Sequence, residues 1–184
     1  MIGEFRGKYF FLSNFYEVPV TYDGITYQNN EAAFQAQKVF GEARRQFEGI
    51  SPKEAKRLGR RVSLRSDWEY VKEDKMREIV RAKFVQNPDL MKKLLDTGNE
   101  ELIEGNNWGD RTWGMVGGTG QNLLGKILMD LRDEERRDRT TDYHDEFPLG
   151  EKQHSPLHCE LFSLKEALDA CQGTQEVELE EIGK

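Results

Sequence analysis

The chain has 184 residues, of which 36% are hydrophobic and 33% charged, with ten Phe, six Tyr and three Trp. That length and aromatic content suffice for one buried core, and no apolar run reaches the roughly 18 residues that a membrane-spanning helix needs. The net charge of −7 belongs to the C-terminal part: residues 1–138 carry 23 basic and 23 acidic side chains, whereas 139–184 carry 4 and 11. A neutral body argues against broad electrostatic binding of duplex nucleic acid, although a local basic cluster can still hold a small anion.

The first seven residues lack a basic-then-apolar signal pattern, and two cysteines do not make a disulfide scaffold. A reducing cytoplasm is therefore the expected compartment. Short strands are expected at Phe5 and at Tyr9-Phe10-Phe11-Leu12. A hairpin follows, turning at Asp23-Gly24 between Val20 and Tyr22 on one side and Ile25 and Tyr27 on the other.

A helix capped by Asn30 comes next. On it Glu31, Gln35 and Lys38 fall at i, i+4 and i+7 and share one face, with acid and amine about 10 Å apart by helix rise. Such a pair on a helix is most often solvated. Here Ala32, Ala33, Phe34, Ala36, Val39 and Phe40 leave little other polar surface, which favours a pocket-lining face.

The remainder of the body reads as helical. Ser51-Pro52-Lys53-Glu54 is a capping box with Pro at the first helical position, and Ser66-Asp67-Trp68-Glu69 is a second box opening a helix to about Gln86. Trp68, Val71, Met76, Ile79, Val80 and Phe84 make its buried stripe. Asn87-Pro88 begins a short helix that Gly98 ends, and Asn122 opens a last core helix fading into Glu134–Asp138.

Residues 139–184 are expected to form an acidic extension, partly disordered or packed on the core through Leu157, Leu161 and Phe162, with a short helix at Ser163–Gln172. His154, His158 and Cys159 lack a fourth ligand at suitable spacing, so a chance cluster is favoured and no metal is expected.

Two further clusters bear on chemistry. Lys53, Lys56, Arg57, Arg60, Arg61 and Arg65 have only Glu54 among them, and Arg57, Arg60 and Arg61 fall at i, i+3 and i+4. They form either a phosphate-binding helix face or a solvated one. Gly105–Gly125 contains seven glycines, with Trp108, Asp110, Trp113 and Asn122. It reads as a structured loop approached by a ligand or as a surface loop pinned by tryptophans. Gly120–Lys126 nearly has P-loop spacing, but Ile127 stands where Ser or Thr would hold magnesium, and the P-loop is rejected.

Taken together, Phe11-Leu12-Ser13-Asn14-Phe15-Tyr16, Asp23-Gly24, Glu31, Phe34-Gln35-Ala36-Gln37-Lys38, Leu58-Gly59-Arg60, Trp68, Met76, Lys83-Phe84, Trp113-Gly114 and Gly120–Gly125 follow in an order that resembles the NADAR family over about residues 4–136. The YbiA-like bacterial members of that family are N-glycosidases. The resemblance implies a mainly α domain at 1–138 with a small N-terminal β element (α+β). It implies hydrolysis of a ribosyl C–N bond to a nitrogenous base, in phosphoribosylated riboflavin-pathway intermediates or ADP-ribosylated guanine.

By position, Glu31, Lys38 and Asp110 match the family's catalytic acid, helix lysine and second acidic residue, and Trp68 matches an important tryptophan. Asn14, Phe15, Arg57, Arg60, Trp68, Trp113 and Asn122 make the expected substrate-binding set. The expected partner is a small nucleotide or ADP-ribosylated substrate, including one on a guanine of nucleic acid, with no cofactor and no membrane. Two departures stand out: Asn30-Glu31-Ala32 replaces a common Ser-Glu-His, and Met115-Val116 replaces a more glycine-rich run.

In the expected mechanism Glu31 performs the acid–base step. Lys38 stabilises substrate oxygens or attacks the anomeric carbon, and Asp110 holds ribose hydroxyls or shares the acid work. Trp68 or Trp113 stacks on a base or packs the core, and Arg60 with Arg57 holds phosphate. The alternatives are a non-catalytic ADP-ribose or NAD-binding module and an interaction protein working through the acidic tail.

Overall fold

The computed structural model describes residues 1–146, with side chains through 140. A 3-10 segment at Gly7–Leu12 leads into strands β1 (Glu17–Tyr22) and β2 (Ile25–Asn29) and helix α1 (Asn30–Ala36). A second 3-10 segment at Gly41–Phe47 precedes helices α2 (Pro52–Leu58), α3 (Trp68–Gln86), α4 (Pro88–Leu95) and α5 (Leu123–Glu146). One two-stranded antiparallel sheet beside these helices makes the fold α+β.

The hairpin turns where the Asp-Gly pair predicts. Tyr22 pairs with Ile25 and Val20 with Tyr27, and Asp23 and Gly24 take φ of 52° and 77°. Two successive left-handed residues match the twist of antiparallel strands. The predicted strand at Tyr9–Leu12 is instead the 3-10 segment. Phe11 and Leu12 are adjacent and both buried, which a helical turn allows and a strand with one buried face does not. The N-terminus pairs through Ile2, not Phe5: the Ile2 amide donates to Glu101 O at 2.8 Å and Ile2 O accepts from the Ile103 amide at 2.9 Å.

Every residue of α1 is buried, and the helix packs against both strands, the Gly41–Phe47 segment, α2 and α3. Its cap is Asn29 rather than Asn30, with Asn29 Oδ1 accepting from the Ala32 amide at 2.8 Å. The helix ends at Ala36, so Lys38 stands just beyond it.

The Ser51 box forms, with the Ser51 amide donating to Glu54 Oε2 at 3.0 Å and Ser51 Oγ accepting from the Glu54 amide. The Ser66 box does not form, because Asp67 occupies the cap position and makes no side-chain cap. Its carboxylate instead accepts two bonds from Arg65 at 2.5 and 2.7 Å, and a bidentate fork to a guanidinium outcompetes a single bond to a backbone amide.

Helix α3 buries Met76, Ile79, Val80 and Phe84, and α5 buries Leu124, Ile127, Leu128 and Leu131. Arg77–Asp130 at 2.9 Å and Arg81–Glu134 at 2.7 Å join the two helices at their exposed edge. Helix α5 continues to Glu146, past the fading expected at 134–138. The predicted Ser163–Gln172 helix, the packing through Leu157, Leu161 and Phe162, and the His154, His158 and Cys159 triple lie outside the described residues. No helix among the described residues is long and apolar enough to cross a membrane.

One buried amine ties α3 to the N-terminal segment. Lys83 Nζ donates to Phe11 O at 2.6 Å and Ser13 O at 2.9 Å, and burial pushes it down to about 7. Lys83→Met would take from the buried Phe11 carbonyl its Lys83 partner and leave Ser13 O with the Tyr16 amide at 3.2 Å. The variant is expected to lose about 1–3 kcal/mol and roughly 3–9 °C of melting temperature, read by calorimetry.

Candidate active site

A cavity of about 860 Å³ opens between α1, α2, the start of α3, the Ser13–Phe15 turn and the glycine-rich loop. That volume lies in the range of small-molecule sites. Nine of the ten predicted site residues line it: Asn14, Phe15, Glu31, Lys38, Arg57, Arg60, Trp68, Asp110 and Trp113. Asn122 does not. Its Nδ2 donates to Leu102 O at 2.8 Å and its Oδ1 accepts from the Glu104 amide at 3.0 Å, so it holds the wall from behind.

Glu31 sits in the first turn of α1 and is 6% exposed. Its amide donates to Asn14 O at 3.0 Å, and its Oε1 accepts from Gln35 Nε2 at 2.9 Å. Burial pushes its carboxyl above the usual carboxylate range. Lys56, the Gln35 bond and Lys38 draw it back, and Asp110 adds to the rise. Lys56 is thus its strongest cationic partner, ahead of the predicted Lys38.

Lys38 is half-buried, and burial lowers its amine. Glu31 opposes that shift while Arg60 and Lys56 reinforce it. Its Nζ donates to Gly59 O at 2.9 Å and lies 5.8 Å from the Trp68 ring centroid. Gly59 is required for space rather than for conformation: a Cβ there would stand 1.9 Å from Gln35 Oε1. The Leu58-Gly59-Arg60 stretch therefore lets one backbone turn touch both Gln35 and Lys38.

The predicted arginine face is split. Helix α2 ends at Leu58, so Arg60 and Arg61 leave its helical register. Arg57 and Arg60 reach the cavity with Lys53 and Lys56, Arg61 does not line it, and Arg65 is taken by Asp67. Arg6 and Lys72 add two cations that the sequence reading missed, giving seven basic side chains against Glu31, Glu104 and Asp110.

In the loop, Asp110 Oδ1 accepts from the amides of Thr112 at 3.0 Å and Trp113 at 2.9 Å. Phe34 contacts Trp68 at 5.1 Å and Trp113 at 5.2 Å between ring centroids, so both tryptophans form wall. Trp108 lines the cavity while 55% exposed.

Glu104 was missed altogether. Burial, with repulsion from Asp110, pushes its carboxyl up to about 7. Spacing could not reveal it, because a backbone bridge of Gly105 with Met115 brings it to the cavity. No group of three or more His, Cys, Asp or Glu that could hold a metal ion occurs among the described residues.

Gly59→Ala is expected to stay folded, since its φ of −62° suits alanine, while expelling the Gln35 amide from Glu31. Loss of that donor bond removes an interaction favouring the carboxylate. Glu31 is then expected to titrate at higher pH than in the parent, followed by carbon NMR of its labelled carboxyl.

The NADAR domain model matches residues 3–136. The N-glycosidase YbiA of Shigella boydii is 43% identical over 127 residues, covering 66% of this chain and 79% of that protein. A riboflavin biosynthesis protein of Vibrio vulnificus is 41% identical over 130 residues, 67% of this chain and 35% of that one. The solved NMR structure of Escherichia coli YbiA superposes with a TM-score of 0.66 at 36% identity, covering 81% of this chain and 86% of that one. With the family model spanning the folded body that carries the cavity, this chain belongs to the NADAR family.

Proposed function

We propose that this chain is an N-glycosidase that hydrolyses the C–N bond between a phosphorylated ribose and a nitrogenous base. One observation carries the reading: a dehydrated carboxyl, Glu31, and a half-buried amine with a lowered pKa, Lys38, line one cavity rich in cations. The relatives named N-glycosidase support it.

Breaking a ribosyl C–N bond leaves positive charge on the anomeric carbon. The Glu31 carboxylate, held by the Gln35 amide, stabilises that charge and takes a proton from the attacking group. The neutral form of Lys38 attacks the anomeric carbon and gives a Schiff base with the opened ribose, which water then hydrolyses. Arg57 and Arg60, with Lys53 and Lys56 beside them, hold phosphate. Trp108 offers an exposed face for the base, and Asp110 binds ribose hydroxyls.

The substrates proposed are ADP-ribosylated guanine and phosphoribosylated aminopyrimidines of riboflavin synthesis. The cationic lining suits the phosphates of both.

Mass spectrometry of base released from each candidate substrate tests the reaction. Tight ADP-ribose binding without release would instead mark a binding module. Glu31→Gln is expected to lower kcat by about 10³-fold or more. The folded pKa of Glu31 is raised, so its ionisation opposes folding as pH rises. The Gln variant should therefore melt no lower than the parent at pH ~8.

Borohydride added during turnover should leave a ribosyl adduct on Lys38, and an unmodified lysine would remove the covalent step. Arg60→Ala should raise KM for phosphorylated substrate by about tenfold with little change in kcat.

A further inference from the structure

The departing base nitrogen needs a proton, and in the proposed reaction Glu31 is already occupied as the acceptor of the lysine proton. We propose that Glu104 is the proton donor to the leaving base, so that two carboxyls of one cavity divide base and acid work. The assignment rests on the N-glycosidase reading.

Three observations carry it. Glu104 lines the same cavity as Glu31 and Lys38. Its Oε2 is buried and has no hydrogen-bond partner among the described residues, whereas Glu31 Oε1 has the Gln35 amide. A carboxyl with no donor aimed at it lacks what stabilises the ionised form, and a protonated one can itself donate.

Its backbone is also fixed from several sides. The amide donates to Asn122 Oδ1 at 3.0 Å and the carbonyl accepts from the Met115 amide at 2.9 Å. Gly114 packs so closely that a Cβ there would lie 2.2 Å from Glu104 O. A fixed backbone limits where the carboxyl can stand on the cavity wall.

The surrounding charges agree. Asp110 and Glu31 discourage ionisation, Lys56 and Arg6 favour it, and Lys83 of α3 senses the Glu104 charge. Burial outweighs the two cations, leaving the group near 7, where a donor serves at neutral pH.

In the step itself the C–N electron pair goes to the base nitrogen, and the proton on Glu104 passes to that nitrogen. The anomeric carbon bonds to Lys38 Nζ, whose proton goes to Glu31. The ring C1–O4′ bond then breaks, its electron pair staying on O4′, which takes that proton back from Glu31 while the nitrogen lone pair forms the protonated imine. Hydrolysis of the imine consumes one water, frees the lysine and releases one proton, which restores Glu104 through solvent, so one water is added overall.

The test uses the full chain and two substrates: the natural glycoside, and a para-nitrophenyl riboside phosphorylated on its sugar, whose leaving group departs without a proton. Glu104→Gln is expected to lose about 10²-fold or more in kcat on the natural substrate and under about tenfold on the nitrophenyl one. The natural substrate's descending limb near pH 7 in the parent should vanish in the variant. Glu31→Gln should lose rate on both.

An equal loss on both substrates, or a surviving basic limb, would overturn the assignment while base release by the parent upholds the glycosidase reading. Should Glu104→Gln not fold, the parent decides: a basic limb with the natural substrate alone supports the donor, and the same limb with both overturns it. A parent that cleaves neither substrate overturns both.

Discussion

The whole site follows from burying α1 on every side. A helix of seven residues is too short to hold itself in water, and α1 exists because the hairpin, α2, α3 and the Gly41–Phe47 segment enclose it. Most of its surface is alanine and phenylalanine, which tolerates enclosure. Glu31 and Gln35 are carried inside with the rest. The dehydration that perturbs Glu31 is therefore a consequence of how the fold is packed, not an ornament added to it.

Enclosure raises the acid above the usual carboxylate range, and the cations limit the rise. Lys56 comes from α2, Arg60 from the turn after it, and Lys38 from the turn after α1. Gly59 joins the three regions, because its missing side chain admits Gln35 and its carbonyl receives Lys38. The basic groups thus act in two ways: they restrain the acid's rise, and they depress the lysine that neighbours them. The same enclosure thus moves the two groups toward each other, the carboxyl upward and the amine downward.

How much of this was legible depended on whether the relevant contact is local in sequence. The Asp23-Gly24 turn, the Ser51 box and the α3 stripe are written in neighbouring residues, and all three appear in the fold. The apolar company of Glu31 and Lys38 correctly marked them as cavity-lining.

The misreadings have a common origin in competition from elsewhere. Asp67 abandons a cap for Arg65, Tyr9–Leu12 coils so that the adjacent Phe11 and Leu12 are both buried, Phe11 against Phe84 of α3, and Asn29 displaces Asn30 as cap. Glu104 was invisible because only the pairing of the loop with itself and with Ile2 delivers it. Asn122 was seen but misplaced, since its polar groups are spent on the backbone that carries Glu104.

The two departures from the family pattern can be weighed in the same terms. Ala32 is fully buried and does not line the cavity, so in this chain the position serves core packing. Met115 works through its backbone, donating to Glu104 O and accepting from the Asn106 amide at 2.9 Å. Neither change touches a polar atom of Glu31, Lys38 or Asp110. Variation at 115 and 116 falls instead on the chain that braces Glu104, and a brace made of main-chain bonds is insensitive to side-chain identity. The main-chain support of Glu104 can therefore persist while side chains of the loop beyond Gly114 change.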